Sequence, residues 1–248
     1  MGLDLHDPAL VGVAGSVASC DFTDDFTSYA DQAAADAVYP YDDEGTIVSK
    51  VNVSSNLIEC IYPAKPGSSD NFLGTCTRQT NCNTDDTAWV LRFTNSITNH
   101  AQLGGVSTRN FIGMCDLSYT SSKNVTQSAI GIFSQVQATI NAYKTAGVYN
   151  GEITGEPSST FSTFVPTDGD TDYVEIIRTT STSFTVEAFA NSNYTGSIEA
   201  ESDSPSELSS VTGLDFLSFK GGESRTGSAL TTEIPDVAFA NAVTVYPS

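Results

Sequence analysis

An all-β fold is what this sequence predicts, and three observations carry the prediction. Residues 173–193 hold two β-branched and aromatic runs around a short Thr/Ser turn. In the second run Phe184, Val186 and Ala188 alternate with Thr185, Glu187 and Phe189. That is the period of two of a half-buried strand, at hairpin spacing. The pattern recurs in residues 88–94, where Trp89, Leu91 and Phe93 share one face and Val90 and Arg92 the other. Finally, one segment alone reads as helix. In residues 28–38, Ser28 can cap the first turn and Gln32, Ala33, Ala34 and Ala35 favour helix.

The elements follow in order. Residues 1–19 read as an N-terminal arm or edge strand. Its small uncharged residues Val11, Val13, Ala14, Val17 and Ala18 suit packing on a neighbouring chain. After the helix, Tyr39-Pro40-Tyr41-Asp42-Asp43-Glu44-Gly45 breaks the chain. Strands are predicted at 47–53 and 57–62, with a Pro/Gly/Ser loop at 63–74. Further strands fall at 88–94, 109–117 and 128–137. Residues 150–162 are polar and irregular. The 173–190 hairpin follows, then an acidic Ser/Pro loop at 199–210, and strands at 214–220 and 234–245. No repeat or long linker marks a second domain, so residues 20–248 read as one unit.

Charge narrows the partners. The chain has 10 basic and 30 acidic residues, a net of -20. No Lys or Arg precedes Lys50, and residues 179–219 contain none. Such a field repels phosphate backbones, which excludes nucleic acid as a partner. No run of 18 apolar residues suits membrane insertion.

Cys76 and Cys82 bracket a short polar segment and read as a disulfide-closed loop. The alternative is that the cysteines pack as small hydrophobes. The other three are Cys20, Cys60 and Cys115, and an odd count leaves one thiol unpaired within the chain. A small disulfide loop implies an oxidising setting. Sequons at Asn52, Asn124 and Asn193 agree with it. The first residues do not resemble a secretion signal. Either such a signal was removed and Met1-Gly2 opens a recombinant form, or the chain is a virion protein exposed after release. The expected location is extracellular or on a virion surface.

The order of pieces resembles the concanavalin A-like lectin/glucanase superfamily, in its laminin G-like, non-enzymatic branch. The residues that carry the resemblance are Asp24-Asp25-Phe26 before a short helix, Thr87–Phe93, Tyr173–Arg178 with its hairpin, and Ile234-Pro235-Asp236-Val237-Ala238-Phe239 near the end. Pro235 stands where an acid is common. The resemblance implies a jelly-roll β-sandwich of two antiparallel sheets, with glycan or protein binding on a concave face or loops. It also implies an early Asp-Phe segment lying near the strand at 234–239.

Glucanases of this fold place paired carboxylates at alternate positions on one strand. The nearest match here, Glu201-Ser202-Asp203-Ser204-Pro205-Ser206-Glu207, has its third acid one residue late. No catalytic residues are assigned. Asp168, Asp170 and Asp172 alternate in a turn and could hold calcium through hard oxygens. Tyr39 and Tyr41 beside Asp42 and Asp43 offer an aromatic platform with polar groups for a glycan. The expected role is a non-catalytic surface recognition protein: a virion decoration or spike component, or a cell-surface adhesin. Its partners would be glycans, neighbouring copies or other structural proteins. The competing reading is an extracellular glycan hydrolase or lyase of the same fold.

Overall fold

The computed structural model describes residues 22–42, 48–62, 72–80, 89–96, 106–116, 129–137, 140–148, 164–165, 171–204, 211–225, 234–240 and 243–247. The proposed arm at 1–19 lies outside them. In chain order the elements are β1 Phe22–Asp24, α1 Gln32–Val38, β2 Tyr41–Asp42, β3 Val48–Asn52, β4 Leu57–Tyr62 and β5 Phe72–Gln79. Then come β6 Trp89–Ser96, β7 Val106–Cys115, β8 Ala129–Gln137 and β9 Ile140–Val148. The series ends with β10 Thr171–Thr180, β11 Ser183–Phe189, β12 Ser197–Asp203, β13 Phe216–Arg225, β14 Ile234–Ala240 and β15 Val243–Pro247.

Two six-stranded antiparallel sheets form the sandwich. Sheet A runs β1-β15-β6-β10-β11-β12 and sheet B runs β2-β5-β13-β7-β8-β9. A three-stranded sheet, β14-β4-β3, flanks them. Alternation puts Trp89, Leu91, Phe93, Val174, Ile176, Phe184, Val186 and Ala188 on the inner face of sheet A. They share one core with Ile112, Met114, Ile130, Ile132, Leu217 and Phe219 of sheet B. The all-β sandwich with one short helix is as expected, and Trp89 is a core residue.

The differences are local. The helix starts at Gln32 rather than Ser28. Asp31 is its N-cap, accepting from the Ala34 N–H at 2.9 Å, because a carboxylate there satisfies an otherwise orphaned donor. Residues 234–245 form two strands. Of these β15, not β14, pairs with β1, while β14 pairs with β4. The early Asp-Phe segment therefore joins a later strand than the resemblance implied. The acidic segment at 199–203 is strand β12, with Glu199 and Glu201 opposite the inward-facing Ala188 and Val186. Inward-pointing charge is one way an edge strand is kept from pairing further. Glu199 also accepts from the Phe164 N–H at 2.7 Å.

Cys76 corrects the disulfide expectation. It sits mid-strand in β5, opposite the inward-facing Phe219, and its thiol is free and fully buried. Its Sγ lies 3.8 Å from the Tyr39 carbonyl oxygen. Alternation turns it into the core; Cys82 is outside the described residues. Burial, with Asp36 nearby, pushes this thiol well above the usual range. Cys115 is likewise a buried thiol outside any disulfide.

Candidate functional site

The expected platform at Tyr39 and Tyr41 is not a surface. Tyr39 has 0% exposure. It is the C-cap of α1, and its hydroxyl donates to Asp24 Oδ2 at 3.0 Å. Asp24 is at an inward position of β1. It accepts from the Tyr29 hydroxyl as well, and its Oδ1 takes the Phe26 N–H at 2.8 Å. That bond holds Phe26 in the left-handed region at φ 60, which few non-glycine residues adopt. The Arg78 guanidinium lies 5.5 Å from the Tyr39 ring centroid. Burial, reinforced by Asp24, pushes the Tyr29 and Tyr39 hydroxyls well above the phenol range. Asp24-Asp25-Phe26 is thus a structural knot. Tyr41 is half-buried and packed on the core. Asp42 ends β2, and Asp43 lies outside the described residues.

The remaining expected sites are dispersed. Asp172 pairs in register with Asn95 at one end of sheet A, on the inner face. Asp168 and Asp170 lie outside the described residues. Among those described, no group of three His, Cys, Asp or Glu could hold a metal ion. Asn52 is half-buried, its Oδ1 accepting from Ser54 N and Oγ at 3.0 and 2.7 Å. Asn193 is exposed in a turn, and Asn124 is outside the described residues. Among the described residues, no helix is long and apolar enough to cross a membrane.

A different surface meets the chemical requirement, on the outer face of sheet A. Register sets Arg92 of β6, Glu175 of β10 and Glu187 of β11 side by side. Arg92 is ion-paired to Glu175, with the side chains 26% and 7% exposed. The 190–196 turn folds Tyr194 back over this row. The Arg92 guanidinium is 4.8 Å from its ring centroid. Tyr173 and Phe189 meet the same ring edge-on at 6.3 and 5.5 Å. The turn is built for this. Asn191 Nδ2 donates to the Thr195 carbonyl at 2.9 Å, and Asn191 Oδ1 accepts from the Asn193 N–H at 3.0 Å. Tyr194 and Gly196 both take positive φ, 53 and 71. A half-exposed aromatic ring, a guanidinium and two carboxylates thus converge on one patch. The sequence signal was the polar Asn191-Ser192-Asn193-Tyr194-Thr195-Gly196 turn, which by itself does not reveal where its tyrosine lands.

No family model matches the sequence, and no curated protein does. Solved structures do match its fold. Lectin II from Ulex europaeus aligns at TM-score 0.53 and 11% identity, over 92% of this chain and 98% of the lectin. The lectin UEA-II complexed with galactose aligns at 0.53 and 13%, over 92% and 98%. The Ca2+-bound VIP36 exoplasmic/lumenal domain aligns at 0.51 and 7%, over 92% and 90%. The chain therefore has the lectin-type β-sandwich fold of these structures.

Proposed function

We propose that this chain is a non-catalytic recognition protein that binds carbohydrate on the outer face of sheet A. The observation that carries the reading is the half-exposed Tyr194 ring, fixed over Arg92 beside Glu175 and Glu187 on a lectin-type sandwich. A sugar presents an apolar C–H face to an aromatic ring and a hydroxyl edge to charged acceptors and donors, so this pairing suits it. A matched lectin complexed with galactose supports the ligand class. The wider role, as a virion decoration, spike component or adhesin in an extracellular setting, belongs to the same proposal. So does attachment to neighbouring copies through residues 1–19.

The hydrolase reading has one observation in its favour. Glu175 and Glu187 face each other across adjacent strands, a closeness that retaining glycosidases use. Glu175 is ion-paired to Arg92, however, so its carboxylate is already engaged rather than open to act on a glycosidic oxygen. Calcium at Asp168, Asp170 and Asp172 is also proposed; when bound it would brace the turn before β10. Asp172 and Asn95 fit as two oxygen donors, well short of the six to eight that calcium takes. Calorimetric titration with Ca2+ and the Asp170→Asn variant tests it.

The test of function is binding to a glycan panel, with Tyr194→Ala and Arg92→Ala as comparisons. Wild type should bind at least one glycan, Tyr194→Ala at least about tenfold more weakly, and neither should release reducing ends. Reducing-end release lost in Glu187→Gln would move the assignment to a hydrolase.

A further inference from the structure

Glu187 occupies a place that stability alone disfavours. It stands directly opposite Glu175 on the same face of neighbouring strands. Like charges so placed destabilise a sheet. Arg92 is engaged by Glu175, and the next position across the sheet is Ala200, which offers no polar side chain. Glu187 has no hydrogen-bond or ion-pair partner among the described residues. It is half-buried and one row from Tyr173 and Phe189, the two rings against Tyr194. A carboxylate kept at a cost to the sheet, beside an aromatic platform, has the character of a site residue.

We infer that Glu187 is the specificity-determining residue of this site and that the ligand is a neutral saccharide. This rests on the carbohydrate reading. With the ring of Tyr194 under the sugar's C–H face, the two Glu187 oxygens accept hydrogen bonds from adjacent hydroxyls, bonds strengthened by the charge. The same charge, within a chain of net -20, repels uronates, sialosides and sulfated sugars. Arg92 is not open to a ligand's acidic group, because its guanidinium is engaged by Glu175 and by the Tyr194 ring.

The experiment is calorimetric titration of wild type, Glu187→Gln, Glu187→Asp and Tyr194→Ala with neutral oligosaccharides and their uronic-acid counterparts, with thermal unfolding of each variant. Glu187→Gln keeps the size and one acceptor but removes the charge. Neutral binding should fall about tenfold, the uronate counterpart should gain affinity, and the melting temperature should hold or rise as the repulsion with Glu175 disappears. Glu187→Asp should bind more weakly yet keep the neutral preference. If Tyr194→Ala abolishes binding while Glu187→Gln binds like wild type, the site stands and the role of Glu187 is wrong. A clear drop in melting temperature for Glu187→Gln would make the carboxylate structural and overturn the inference. If wild type binds no member of the panel, the site reading itself fails.

Discussion

The outer faces of the two sheets are built on opposite rules. On sheet A the outer row is charged and aromatic: Arg92, Glu175, Glu187, with Tyr173 and Tyr194. On sheet B the row is small: Thr77, Ser218, Gly113, Gly131 and Ala146 stand in register across five strands. There the side chains of Thr77, Phe111, Cys115, Ala129 and Ser218 are buried although they point away from the core. The Phe111 ring lies across both glycines. A Cβ on Gly113 would come 2.7 Å from a Phe111 ring carbon, and one on Gly131 would come 2.6 Å from it. The face of sheet B is therefore committed to packing, whereas that of sheet A carries charged and aromatic groups with half-exposed side chains at Arg92, Glu187 and Tyr194. Faces of one sandwich can diverge this far because period-two alternation lets each face of a strand be chosen separately.

Four changes should break or sharpen this contrast. The largest effect is expected from Gly131→Ala, which forces Phe111 and the Ile112 carbonyl apart. Denaturant unfolding should show a loss of about 3 kcal/mol, with glycan binding by the folded fraction unchanged. Next comes alkali. Tyr29 and Tyr39 have folded values raised above the unfolded phenol value. Their contribution is complete below about pH 10 and is lost as pH rises through the folded values. Stability measured from pH 8 to 11 should fall above about pH 10, and less steeply in Tyr39→Phe, which should itself cost about 1 kcal/mol at neutral pH.

Ser218→Ala should act in the other direction. The Ser218 hydroxyl is buried and has no hydrogen-bond partner among the described residues. Removing it should raise stability by about 1 kcal/mol in the same denaturant assay. The smallest change is expected from Glu187→Gln on the open face, a gain of about 0.5 kcal/mol. Stabilisation on both faces, but loss of binding only from sheet A, is the outcome that separates packing from recognition.

Legibility in the sequence followed side-chain contrast. Strands with bulky alternation, such as Trp89/Leu91/Phe93 and Phe184/Val186/Ala188, were readable because large apolar residues mark one face. β5 and β9 were missed. β5, Phe-Leu-Gly-Thr-Cys-Thr-Arg-Gln, puts Cys76 and Arg78 on its inner face, and β9 turns the buried Thr145 inward. A single cysteine beside an arginine, or an inward threonine, does not mark an apolar face. β12 was hidden for the same reason, with acids at its inner positions. The platform was misplaced because Tyr39 and Tyr194 both sit in polar turns. Only the tertiary partner, Asp24 inside or Arg92 outside, decides which tyrosine is buried. Asp168, Asp170, Asn124, Cys82 and Asp43 lie outside the described residues, so the readings placed on them stand as expectations.

The position of β15 governs when the chain can fold. Residues 243–247 are not an edge; they are inserted between β1 at 22–24 and β6 at 89–96. Sheet A stays open between β1 and β6 until that segment has left the ribosome, so completion of the sheet must wait for nearly all of residues 22–247 to be made. Closure also joins segments more than two hundred residues apart, the kind of non-local pairing that makes β proteins slow to fold. In the interval the unpaired rims of β1 and β6 are exposed strand edges, and it is then that the chain is most open to association with its own copies.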